Sequence, residues 1–105
     1  NMIRMIIVSR TIKEYIAQLV SHTRQHPDIS LGVSPRGTIF LMRAAQAHAL
    51  LENRNYVIPD DVQKMIEPVL SHRIILKPET RLRDLTPDIL LQSIIKGIYV
   101  PVIRE

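Results

Sequence analysis

Three prolines divide this chain into helices. Ser34-Pro35, Ile58-Pro59-Asp60-Asp61 and Thr86-Pro87-Asp88 each put a proline where a helix can begin but where one arriving from upstream cannot continue. The missing N–H costs nothing in the first helical turn, whose donors have no intrahelical partner anyway, and the fixed φ suits it. Ser34 and Thr86 add a side-chain oxygen for the N-cap, while Asp60, Asp61 and Asp88 set negative charge against the positive helix end.

Apolar residues recur at helical spacing around these starts. Before the first proline boundary, Ile12, Tyr15, Ile16, Leu19 and Val20 predict a helix that opens at Ser9 or at the capping-box pattern Thr11-Ile12-Lys13-Glu14 and ends near His26, ahead of Pro27. From Pro35 the second helix runs through the alanine-rich stretch RAAQAHALLE, whose small residues suit close packing by neighbours. Asn53 stands where a left-handed C-terminal cap is needed. The third helix, from Pro59, buries Val62, Met65, Ile66, Val69 and Leu70, with a kink or break expected at Pro68 and an end by His72.

The β-branched run Ile74, Ile75, Leu76 predicts a short strand, paired with residues 5–8 or with residues 29–31. KPETRLRD reads as an exposed loop, and the fourth helix then places Leu90, Leu91, Ile94, Ile95 and Ile98 on one face, with Gly97 near its end. The expected architecture is mainly α: a four-helix bundle with one short two-stranded pairing.

At 105 residues the chain suits a single core. Its net charge of +4 permits an anionic partner. With no cysteine, disulfides and thiolate metal sites are excluded, and the cytoplasm is the expected compartment. No apolar run is long enough to span a bilayer, and the opening NMIRMIIVS is too short in apolar residues for a signal peptide. Asn1 ahead of Met2 reads as a cloning remnant or the edge of an excised fragment rather than a natural start.

The residue out of place is Arg36. It stands at the second position of a helix, where the macrodipole already supplies about half a positive charge, and no acidic residue occurs between positions 29 and 51 to offset it. An external anion would resolve the conflict: unpaired N–H groups, the Ser34 hydroxyl and a guanidinium together suit phosphate oxygens. Gly37 would let a ligand or another backbone come close. An exposed charge at a helix end costs only about 0.3–1 kcal/mol, so these residues alone also fit a solvated arginine or one paired with a distant carboxylate.

The other titratable groups have simpler readings. His22 and His26 share a face at the spacing of metal ligands, but Thr-Arg-Gln between them supplies no base and no third ligand follows. His48 and His72 read as packing or hydrogen-bonding residues, Asp60 and Asp61 as helix-start acids, Arg81 and Arg83 as solvated surface. One Phe and three Tyr are too few for a base-stacking platform. No P-loop, nucleophilic triad, zinc signature or dinucleotide fingerprint is present, so no complete catalytic machinery is expected here.

YIAQLVSHTRQHPDISLGVSPRG, AAQAHALLENRNYVIPDDV and VLSHRIIL, in that order and spacing, resemble the C-terminal lid of the MoxR-like AAA+ ATPases, from about residue 8 to residue 102. The resemblance implies a helical lid beside a separate N-terminal nucleotide-binding domain that holds most of the contacts to ATP and Mg²⁺. It matches Arg36 to the sensor 2 arginine, facing the γ-phosphate, with Ser34 and Gly37 supporting the turn. It further implies a ring of subunits, expected as a hexamer, and chaperone-like remodelling of a client protein, driven by hydrolysis in the parent rather than in this fragment.

Two positions depart from the family pattern: Asn53 replaces a glycine, which its own left-handed tendency tolerates, and Ile58 replaces a hydroxyl residue, which removes an N-cap from the third helix. A basic helical, histone-fold-like module that binds nucleic acid is the alternative. The dispersal of the basic residues along the chain weighs against it.

Overall fold

The computed structural model describes residues 5–101; Asn1 and Met2 at one limit of the sequence reading, and Val102 at the other, lie outside the described residues. The elements in order are α1 (Arg10–Gln25), β1 (Ile29–Leu31), α2 (Pro35–Leu51), α3 (Pro59–Leu70), β2 (Ile75–Leu76), α4 (Pro78–Leu82) and α5 (Pro87–Gly97).

Each proline-led boundary falls where the local chemistry puts it. Ser34 and Thr86 cap α2 and α5 through their hydroxyl oxygens, which accept from the N–H groups of Gly37 at 3.1 Å and Ile89 at 3.3 Å. Between the two candidate starts of α1, the cap is Ser9, whose Oγ accepts from Ile12. Asn53 adopts the left-handed conformation at φ 62°, and Asp84 does the same after α4. α3 continues unbroken through Pro68 to Leu70; because Pro68 lies in the last turn, only one hydrogen bond is lost there.

The core joins α1, α2, α3 and α5. Ile12, Tyr15, Ile16, Leu19 and Val20 of α1 meet Val62, Ile66 and Leu70 of α3 and Leu90, Leu91 and Ile94 of α5 in one cluster, each large side chain contributing about 1.5–3 kcal/mol on burial. Met65, Val69 and Ile95, expected on the buried faces, are only partly covered at the margin of that cluster.

α2 packs most extensively on α3. Its buried stripe of Gly37, Leu41, Ala45 and Ala49 repeats every four residues, and the small members let the two backbones come close. Gln46, also buried on α2, donates from Nε2 to the Ile6 carbonyl at 2.8 Å and ties the N-terminal segment to the bundle.

Of the two strand pairings open in sequence, β2 takes residues 29–31: Ile29 lies opposite Leu76 and Leu31 opposite Ile75, antiparallel and with an irregularity between them. Residues 5–8 instead contribute Ile7, which forms a parallel bridge with Tyr56 through Ile7 N–H to Asn55 O and Val57 N–H to Ile7 O.

The segment expected as an exposed loop holds α4. Lys77-Pro78 starts this single turn and a half, and Thr80 within it is fully buried because its hydroxyl donates to Asp28 at 3.1 Å. Arg83 reaches the same carboxylate oxygen at 2.7 Å, so the turn is held by a contact more than fifty residues away in sequence that no local pattern announces.

Candidate functional site

The first turn of α2 is positioned from two sides. On one side the loop ahead of it is pinned to the end of α1: the Thr23 hydroxyl donates to Val20 O at 2.6 Å and accepts from Val33 N–H at 3.1 Å, while Arg24 Nε donates to Val33 O at 2.8 Å. Gly32 makes this approach feasible, since a Cβ there would lie 2.8 Å from the backbone of Thr23 and Arg24. Neither Thr23 nor Gly32 is marked by any sequence motif; the pair becomes visible only when α1 and β1 meet.

On the other side stands Arg73, just beyond α3. Its Nε donates to Val69 O at 3.0 Å, and its guanidinium carbon sits 4.6 Å above the centre of the Phe40 ring, a geometry worth about 0.5–1 kcal/mol when exposed. Gly37 is buried between the two sides: a Cβ on it would come 2.9 Å from Val33 Cγ1 and 3.4 Å from Arg73 Cδ. The space a Cβ would take at Gly37 is bordered by side chains of this chain.

Arg36 emerges from this turn at the second helical position, exposed and without an ion pair among the described residues. The first turn carries no acidic residue. Ser34 spends its hydroxyl on Gly37, and its carbonyl accepts from both the N–H and the hydroxyl of Thr38, at 3.0 and 3.1 Å, so it shapes the turn directly. An open groove of about 650 Å³ runs past Ser34 and Pro35, lined also by Arg24, Leu31, His72 and Arg73. Among the described residues that line this groove there are guanidinium groups and no carboxylate.

The opposite end of α2 is electrostatically closed. Asp61, fully buried, accepts two hydrogen bonds from Arg54, one from Ile58 N–H at 2.8 Å and one involving His48 Nδ1 at 2.6 Å. Burial alone would push this carboxyl up, but the Arg54 guanidinium, the Ile58 N–H and His48 outweigh it and hold it below the usual aspartate range. Asp61 also supplies what Ile58 cannot, reaching back to the N-cap backbone of α3. The sequence reading of Asp61 as a helix-start acid covers that bond; the links to His48 and Arg54 are tertiary. Asp60 beside it remains exposed.

The remaining histidines are engaged locally or exposed. His22 Nδ1 lies 2.8 Å from Gln18 O, His26 Nδ1 accepts from Asp28 N–H at 3.0 Å, and His72 is exposed beside the groove. Among the described residues no three metal-ligating side chains converge. No helix among the described residues is long and apolar enough to cross a membrane.

Residues 21–94 match the AAA lid domain family. The chain is 50% identical over 95 residues to the Bacillus subtilis protein YeaC, spanning 90% of this chain and 30% of YeaC. It is 28% identical over 103 residues to the chaperone MoxR1 of Mycobacterium tuberculosis, spanning 90% of this chain and 27% of that protein. A third relative, the MoxR protein of Paracoccus denitrificans, is 49% identical over 72 residues, covering 67% of this chain and 21% of its own length. In three dimensions the chain superposes on a candidate ATPase from Cytophaga hutchinsonii with a TM-score of 0.91 at 30% identity, over 97% of this chain and 34% of that one. The chain thus spans between 21% and 34% of the length of these relatives. It belongs to the AAA lid domain family, as the lid of a MoxR-like AAA+ ATPase.

Proposed function

We propose that this chain is the C-terminal lid of a larger ATPase and that Arg36 is its sensor 2 arginine, presented to the γ-phosphate of ATP held mainly by an N-terminal nucleotide-binding domain. One observation carries the reading: a solvent-facing guanidinium stands at the N-terminal end of a long helix, with no acid in its turn and no ion pair among the described residues. An anion from outside the lid relieves that arrangement.

Ser34 and Gly37 act through the shape of the turn, as cap and as the seat of Val33 and Arg73. With no cluster of metal-ligating residues among those described, the lid's part in a Mg²⁺-nucleotide site is the cation. A guanidinium at the γ-phosphate stabilises charge as it develops in transfer and loses its partner when phosphate leaves. The lid then shifts relative to the nucleotide-binding domain, and in a ring of such subunits, read as a hexamer, that shift drives chaperone-like remodelling of a client protein. The cytoplasm is the compartment that suits this activity.

The test is Arg36→Ala in the full-length ATPase. ATP turnover should fall by about 10²-fold, as for loss of a transition-state charge partner, while the thermal midpoint stays within about 2 °C. Unchanged turnover refutes the sensor role. The isolated lid should show no turnover above background.

A further inference from the structure

We infer that Arg73 is a positioning residue for Arg36, bracing the turn from which Arg36 reaches phosphate; the inference rests on the sensor reading of Arg36. Three contacts fix Arg73. Its Nε–H is committed to Val69 O at the end of α3, its guanidinium carbon stands 4.6 Å from the centre of the Phe40 ring, and its Cδ borders Gly37. Gly37 and Phe40 are the residue after Arg36 and the residue one helical turn beyond it. Arg73 therefore covers the flank of the helical turn from which Arg36 emerges.

An exposed arginine can pair with a carboxylate. Among the described residues Arg73 has none, and the segment it packs on contains no acid from position 29 to 51. Its role follows from its shape as well as its charge. A planar guanidinium can stack on the ring and still direct Nε in its own plane to Val69, which a lysine ammonium cannot do. With that flank occupied by the stem and charge of Arg73, volume and like-charge repulsion both close it to the Arg36 side chain. Arg36 is left the direction away from Phe40, toward the open N-terminal end of α2. Arg73 also links the Arg36 turn to the end of α3, so the turn moves with the α2–α3 pair.

The experiment compares Arg73→Met, Arg36→Ala and the double variant in the full-length ATPase. Methionine keeps an apolar stem over Gly37 and Phe40 and loses the Nε donor and the charge. Arg73→Met should lower kcat about five- to twentyfold with KM for ATP within about twofold and the melting temperature lowered by no more than about 4 °C, and the double variant should be no slower than Arg36→Ala alone. A wild-type kcat in Arg73→Met beside a slowed Arg36→Ala overturns the inference and leaves the sensor reading standing. Losses that multiply in the double variant also overturn it, because Arg73 then acts without Arg36. If Arg36→Ala itself has no effect, the sensor reading fails and the inference falls with it. Phe40→Leu tests the brace from its other partner, and it must show the same loss, again absorbed by Arg36→Ala; a wild-type kcat there counts against the brace.

Discussion

Arg54 and Asp61 meet at two points, Nη1 to Oδ2 at 2.7 Å and Nη2 to Oδ1 at 2.8 Å, and the carboxylate they share is fully buried. This pair closes the connection between α2 and α3. Removing one partner of a buried, fully hydrogen-bonded pair leaves the other uncompensated, so Asp61→Asn should cost about 3 kcal/mol in urea denaturation of the lid. His48→Gln, which affects one of the four contacts to that carboxylate, should cost about 1 kcal/mol. A larger loss in His48→Gln than in Asp61→Asn would contradict the central place of the carboxylate.

The same group sets an acid limb. The folded-state carboxyl of Asp61 titrates below the ordinary aspartate value of about 3.9, so its contribution is complete above that value and is lost as pH falls through the lower, folded one. Unfolding midpoints should therefore hold from pH 7 to about 5 and drop toward pH 3. Asp28, likewise held low by Thr80 and Arg83 against its own desolvation, adds to the drop, so Asp61→Asn should make the limb shallower without abolishing it. A variant limb as steep as that of the unaltered lid would exclude Asp61 as a source.

Glycine positions separate tight contacts from open ones. Gly37→Ala places a methyl 2.9 Å from Val33 Cγ1 and should cost about 1–3 kcal/mol. Gly32→Ala meets backbone rather than a side chain and should cost more than Gly37→Ala. At Gly97 nothing lies within 4 Å, and its φ is not positive, so Gly97→Ala should stabilise the lid by about 0.4–1 kcal/mol. Thermal melts of the three variants check this order.

Arg36 should show stability and function pulling in opposite directions. Arg36→Glu replaces an unfavourable charge at a helix N-terminus by a favourable one, so the lid should gain about 0.3–1 kcal/mol. The full-length ATPase carrying the same change should lose turnover at least as completely as with alanine. A stabilised and fully active variant would place the phosphate contact elsewhere.

Much of this fold is legible because its helix starts are local. A cap oxygen, a proline and an apolar period lie within a few neighbouring residues, and Ser34, Thr86 and Ile12 through Val20 behave as that chemistry dictates. What escapes are contacts that join distant segments. α4 depends on Asp28, the Thr23–Val33 bond on the meeting of α1 with β1, and the Arg73–Phe40 stack on the packing of α3 against α2. Arg36 stands out in sequence because it contradicts a local rule; Arg73 breaks none, so only the fold puts it beside Gly37.

The buried carboxylate of Asp61 also sets a lever arm. α2 has 17 residues and is about 25 Å long, anchored at its C-terminal end through His48 and, beyond Asn53, Arg54, with Arg36 at the other end. Because its first turn is held as well, α2 moves with the elements packed on it, and a rotation of that body of about 5° about the Asp61 end displaces Arg36 by about 2 Å, roughly the difference between a hydrogen bond and a lost one. On the proposed sensor reading, a lid built this way needs only a small swing to make or break a contact with phosphate, and a softened anchor at Asp61 would blur that response from the far end of the helix.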